Sequence, residues 1–238
     1  MRLGLAAGAP ESFAWTPRKL GAALLNDWDA NDAVVTSGKV VSVTDSVAGL
    51  AMNDNGQAAQ RPTYSMSGPN GHAEITHDGV AQALQTGVAI FTRNPPFTWV
   101  IVYKQYGQAA AGTLLSDSGG NALQINASVP SMSFFGGAAN NTVAGTPTNL
   151  DPAYGALFLE KNGTSTKWYN NGAALTNNAT SPGTGAYDML TVGAYQYDPF
   201  LSVPLHCSWT RILLVSGLLS TADRLRLYRY LKRLYGLP

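Results

Sequence analysis

The chain has little charge, almost no cysteine and no long apolar run. Charged residues are 12% of its 238 positions, about half of the ~25% usual in globular proteins. Its 15 Lys and Arg nearly cancel 14 Asp and Glu, leaving a net charge of +1. Without a concentrated positive surface to displace counterions, nucleic acid is not an expected partner. No stretch reaches the roughly 18 uninterrupted apolar residues of a spanning helix, so no membrane span is expected. The opening MRLGLAAGAP, with one Arg and a faint A-x-A at Ala7-Gly8-Ala9, matches a secretory leader poorly and is not read as one. The lone Cys207 cannot close an intrachain disulfide. Its apolar, strand-like neighbours indicate a buried, inert thiol in a chain that folds in a reducing compartment.

Catalytic signatures are missing as well. There is no G-x-S-x-G elbow, H-E-x-x-H or Walker sequence. His72, His77 and His206 lack helical ligand spacing, and five residues of strand put His72 and His77 on opposite faces. They read as hydrogen-bonded histidines, and no metal site is expected.

What is present is strand and turn. The 25 glycines and 13 prolines punctuate short β-branched and aromatic runs. Val34-Val35 and Val40–Val43 flank the turn pair Ser37-Gly38, and a polar connection fills residues 51–72. The strongest strand is Phe97–Lys104 after Pro95-Pro96, apolar enough to be central and covered on both faces. Further strands are expected at 113–116, 122–127, 131–135, 154–161, 166–169, 189–194 and 206–215. Asn162-Gly163 and Asn171-Gly172 suit type I′ hairpins, in which both central residues need positive φ. The pattern predicts one all-β domain, an antiparallel β-sandwich or jelly roll, over 26–238, preceded by an arm at 1–25.

The end of the chain changes period. Ser220-Thr221-Ala222-Asp223 resembles a capping box and Gly236 stands where a C-cap would. Between them Leu227, Tyr228, Leu231, Leu234 and Tyr235 form one arc of an amphipathic α-helix at 220–235. Arg226, Arg229, Lys232 and Arg233 fall opposite, in a run of five basic residues that begins at Arg224. With Arg18 and Lys19 of the arm they are candidate contacts for a partner; the alternative is a solvated face whose cations suit the helix C-terminus.

Several segments together resemble the concanavalin A-like lectin/glucanase superfamily, in the LamG-like form common in phage structural and bacterial surface proteins. They are Trp28-Asp29-Ala30, Arg61–Tyr64, Asp78-Gly79 with Leu84, the Phe97–Lys104 strand, Trp168–Gly172, and the close from Ile212–Val215 through Leu219-Ser220 to Tyr235-Gly236. The resemblance runs from about Leu24 to Pro238. Where many relatives carry an acidic residue before the last strand's apolar run, this chain has Arg211. The superfamily holds hydrolases, lectins and structural modules, so the fold alone does not choose between them.

The glucanases of that superfamily set carboxylates in an alternating Glu-x-Asp-x-x-Glu strand. The nearest candidate is Glu74-Ile75-Thr76-His77-Asp78, whose two acids stand about 13 Å apart on one strand face. That is too wide for either a retaining or an inverting pair, so no glycosidase and no catalytic residue are expected. Asp27–Asp32 begins like a calcium loop but has Asp32 where an EF-hand needs glycine. No cofactor is expected, with loosely bound calcium left open. A sugar site would draw on loop aromatics and amides. Tyr195, Tyr197, Asp198 and Phe200 are the best candidates, with Asn140-Asn141 and Asn177-Asn178 beside them; the alternative is packing of these rings against the sheet or a neighbouring subunit.

Two functions follow. The first is a non-enzymatic structural module of a virion, such as a capsid decoration, head-fibre or tail protein. It would assemble in the host cytoplasm, be present in multiple copies or as a homo-oligomer, and be anchored to other virion proteins through the arm. The second is a lectin-like module that recognises surface glycans from an extracellular or cell-surface position.

Overall fold

The computed structural model describes residues 15–54, 56–87, 96–107, 112–117, 122–126, 131–135, 140–144, 153–162, 165–176, 190–197 and 200–238. The first strands are β1 (Leu24–Asp29), β2 (Ala33–Thr36), β3 (Lys39–Thr44), β4 (Ala51–Asn53), β5 (Thr63–Ser65), β6 (Glu74–Asp78) and β7 (Leu84–Gln85). Next come β8 (Phe97–Gln105), β9 (Gly112–Ser116), β10 (Ala122–Asn126), β11 (Ser131–Phe135) and β12 (Asn140–Ala144). The last are β13 (Gly155–Asn162), β14 (Ser165–Asn170), β15 (Ala173–Leu175), β16 (Thr191–Val192), β17 (Tyr195–Tyr197), β18 (Phe200–Ser202) and β19 (His206–Ser216), followed by helix α1 (Thr221–Tyr235).

The longest strand, β19, is the spine of one sheet. β8 pairs along its whole length, from Cys207↔Gln105 to Ser216↔Phe97. Its other edge is divided between β6, which takes His206–Trp209, and β1, which takes Arg211–Val215. β13, β14 and β15 extend the sheet beyond β8, and β5 extends it beyond β6. A second antiparallel layer runs β2-β3-β4-β7-β16-β9-β10-β11-β12, joined to the first at the Lys39↔Thr63 corner. Side chains alternate across each strand. Trp99, Ile101 and Tyr103 of β8, Leu157 and Leu159 of β13, and Ile212 and Leu214 of β19 enter the core between the layers, with Trp28, Trp168 and Trp209.

The opposite faces of those strands are also apolar, which is why β8 reads as a continuous hydrophobic run. Val100, Val102, Phe158, Leu213 and Val215 lie under α1, against Leu227, Leu231 and Tyr235. All three helix side chains are buried, each contributing roughly 1.5–3 kcal/mol. The helix is bounded as the sequence indicates. Ser220 Oγ accepts from the Asp223 N–H at 3.1 Å and Gly236 closes the C-terminus at φ 63°.

The fold therefore is the expected β-sandwich with one C-terminal helix. The strands expected around 97–104, 113–116, 122–127, 131–135, 154–161, 166–169 and 206–215 are present to within a residue at either end. Three readings need correction. The polar connection at 51–72 contains two short strands, β4 and β5; each is three residues long, too short for an alternation to show. The strand expected at 189–194 reduces to Thr191–Val192. Arg224, counted with the basic helix face, is instead buried: its guanidinium contacts Glu160 at 3.1 Å and covers the Tyr169 ring at 3.6 Å. At 1–25, residues 1–14 lie outside the described residues. Pro17–Ala23 form a 3₁₀ segment leading into β1, and Trp15, Leu20 and Ala23 pack against the layer beneath α1. No helix among the described residues is long and apolar enough to cross a membrane.

Candidate functional site

α1 covers only part of the outer face of its sheet. Where β6, β19 and β8 run past it, that face turns polar. Thr76, Ser208 and Lys104 stand side by side on three adjacent strands. Thr76 Oγ1 lies 2.6 Å from Ser208 Oγ, which also meets the Tyr106 hydroxyl at 3.0 Å. Tyr154, just before β13, donates its hydroxyl to Glu74 Oε2. Burial, and then that bond to the carboxylate, push the Tyr154 phenol far above its usual range, so it stays a donor. Lys104 Nζ sits 3.6 Å from the same oxygen, 5.0 Å from the Tyr106 ring centre and 5.1 Å from that of Tyr154. Tyr106 in turn stacks on His206 at 4.2 Å.

Beside this network a cleft of about 630 Å³ opens at the helix C-terminus. Lys104 and Tyr154 form its floor, the 67–70 turn one wall, and Tyr235 with Gly236 the other. The wall is tied in place: Asn70, at φ 54°, donates from Nδ2 to the Leu234 carbonyl at 2.9 Å. Gly68 is required there, since a Cβ would stand 2.6 Å from the His72 carbonyl oxygen. Glu74 adjoins the floor and is engaged by Tyr154 and Lys104. Asp78 is four residues along β6, where its carboxylate accepts the Val80 and Ala81 N–H groups. The arrangement provides donors, acceptors and aromatic edges for a hydroxyl-rich ligand, without two carboxylates facing across it among the described lining residues.

The expected sugar loop is a hairpin of β17 and β18, with Tyr197 paired to Phe200. It leaves the sandwich beside Gly193 and Thr113, at the end where β19 begins. The side chains of Tyr195, Tyr197 and Phe200, all of Asp198, the amides of Asn140-Asn141, and Asn177-Asn178 lie outside the described residues. On the 3₁₀ segment, Arg18 donates to the Ser46 carbonyl and Lys19 is exposed. Arg226 meets Asp223 at 3.2 Å, while Arg229, Lys232 and Arg233 are exposed along the outer face of α1.

The Asp27–Asp32 segment does not suit calcium. Both oxygens of Asp27 are taken by Arg211, Nε at 2.8 Å and Nη2 at 2.7 Å. Asp29 accepts from Asn31 through Oδ1 and faces Arg211 Nη1 at 3.6 Å through Oδ2. A cation here would be set against a guanidinium. The departure seen at Arg211 thus has a structural use: Arg211 also reaches the Tyr230 hydroxyl at 3.2 Å, linking β19, β1 and α1.

His77 and Cys207 are interior. His77 Nδ1 donates to the Gln82 carbonyl at 3.1 Å, and Nε2 accepts from Trp209 Nε1 at 3.1 Å. Burial pushes its pKa down to about 4 and pushes the Cys207 thiol up. Lys104, Tyr154 and Asn70 had no site signal of their own in the sequence. The one hint was a lysine at the end of an otherwise apolar central strand.

No protein-family model matches the chain, and no curated protein does. Solved structures do. A Trypanosoma rangeli sialidase in complex with sialic acid superposes with a TM-score of 0.57 at 15% identity, covering 87% of this chain and 33% of that one. The botulinum neurotoxin type G receptor binding domain gives 0.60 at 8%, covering 91% and 54%. Domain 4 of an extracellular arabinanase from Geobacillus stearothermophilus, in complex with arabinotriose, gives 0.60 at 12%, covering 86% and 98%. At these identities what is shared is the fold, a lectin-like β-sandwich. The chain spans about a third of the sialidase and half of the toxin domain, but nearly all of the arabinanase domain.

Proposed function

We propose that this chain is a non-catalytic carbohydrate-binding module whose ligand occupies the cleft at the C-terminus of α1. The cleft itself carries the proposal. Its volume of about 630 Å³ falls in the roughly 300–1,000 Å³ range of small-ligand sites, with a few fixed polar groups among apolar walls. Lys104 supplies a directed cation, Asn70 an amide and Tyr154 a ring, all held by neighbours before any ligand arrives. Binding without cleavage fits the acids. Glycoside hydrolysis needs two carboxylates about 5–5.5 or 6.5–9.5 Å apart, whereas Asp78 is about 13 Å along the strand from Glu74. Two of the similar structures were solved with sugars bound, which supports the reading. The test is a glycan array on the whole chain. Reproducible binding that falls at least tenfold in Lys104→Ala, with the melting temperature unchanged, supports it; no binding to any glycan overturns it.

A finer placement, on the surface of a virion, rests on the LamG-like resemblance alone. Its test is the chain's presence in purified particles, with residues 1–14 deleted as the anchoring variant. Deletion to residue 20 would also remove Trp15 and Leu20, which pack beneath α1. Particles that lack the chain, or incorporate the deletion normally, contradict the placement or the anchor.

A further inference from the structure

The cleft brings two opposite poles together. Among its described lining residues Lys104, on the floor, has the only charged side chain. One wall is the end of α1 at Tyr235 and Gly236, where the last carbonyls of a 15-residue helix leave partial negative charge. Lys104 is itself engaged. Its Nζ lies 3.6 Å from Glu74 Oε2, and with the two side chains only 13% and 10% exposed, water does little to screen the pair. The rings of Tyr106 and Tyr154 flank the ammonium at 5.0 and 5.1 Å. Glu74 in turn adjoins the other wall: a Cβ on Gly68 would stand 3.0 Å from Glu74 Cβ. The Tyr154 hydroxyl holds its carboxylate in that position.

This arrangement discriminates by charge. An anionic ligand would meet Glu74 and the helix end together with Lys104, and would lose its hydration without gaining a net cation. A cationic ligand would be set against Lys104. A hydroxyl both donates and accepts, and so suits both poles. The cations in the last turn of α1, Lys232 and Arg233, are exposed and are not among the described lining residues, so solvent and salt screen them from the cleft. We propose that Glu74 is a specificity-determining residue: by cancelling the charge of Lys104 it makes the cleft select uncharged sugars over uronic, sialylated and sulfated ones. The inference rests on the carbohydrate reading of the cleft and adds the charge class of its ligand.

The test is a glycan array on the whole chain that sets neutral glycans beside their sialylated, uronic-acid and sulfated counterparts, read at low and high salt. Wild type should bind each neutral glycan it recognises at least tenfold more tightly than the acidic counterpart, with little change as salt rises. Glu74→Gln keeps an acceptor for Tyr154 and removes the charge. It should raise acidic relative to neutral binding at least tenfold, and the binding gained should weaken with salt. Lys104→Gln, which leaves Glu74 uncancelled, should move the ratio further against acids. A wild type that binds acidic counterparts as tightly as neutral glycans overturns the charge selection and leaves the cleft reading standing. So does a Glu74→Gln variant with an unchanged melting temperature whose neutral-to-acidic ratio matches wild type. If no glycan binds, both readings fall.

Discussion

At the scale of single residues, two buried polar contacts set how the protein should respond to acid and to mutation. His77 is neutral in the fold, with one ring nitrogen donating and the other accepting. Its pKa is near 4 folded against 6.5 for the free side chain. The unfolded chain therefore binds more protons between those values, so the contribution of His77 is complete above pH 6.5 and is lost as pH falls towards 4. The full effect is about 3 kcal/mol. Urea unfolding across that window should show wild type losing stability more steeply than His77→Gln; parallel curves would contradict the assignment. Arg211 is the second case. Arg211→Met would leave Asp27 buried without its cation, at a cost of about 3–5 kcal/mol, and adding Asp27→Leu should recover much of it. Equal losses in the single and double variants would mean that the pair is not what holds β1 to β19. Neither contact could be read from the sequence: Arg211 and Asp27 are 184 positions apart, and nothing local to either names the other.

At the scale of elements, what could be read depended on length and on caps. α1 carried a 3.6-residue apolar period, a Ser220 cap and a terminal glycine, so both ends were readable. β8, β13 and β19 are long and apolar, with β-branched residues in β8 and β19 and Leu157-Phe158-Leu159 in β13, whereas β4, β5 and β15 have three residues each and no room for a pattern. The Asn171-Gly172 hairpin was readable because its dipeptide fits a backbone with φ 50° and 80°. Its second role was not. A Cβ on Gly172 would come within 2.8 Å of the Tyr228 ring, so the turn between β14 and β15 also bears on the helix. Gly172→Ala should cost roughly 1–3 kcal/mol from the left-handed backbone and the clash, measured by thermal unfolding. Pairing it with Tyr228→Ala should restore only the steric part, and no recovery at all would show that the helix does not press on the turn.

At the scale of the whole molecule, a β-sandwich with one helix followed from strand spacing and turn chemistry, because those signals are local. The cleft did not, because its parts come from four distant stretches: the 67–70 turn, the end of β8, residues 153–154 and the end of α1. Each is ordinary alone, and the turn lies within what reads as a polar connection. The sequence directed attention instead to Tyr195–Phe200, a hairpin at the end of the sandwich where β19 begins. These two locations give the central claim its sharpest test. The chain, labelled with nitrogen-15, is titrated with a glycan identified on the array while its amide resonances are followed. The cleft predicts shifts concentrated at residues 67–71, 104 and 234–238, with no free reducing sugar released during the titration. Shifts confined to residues 195–202, or hydrolysis of the glycan, would contradict it.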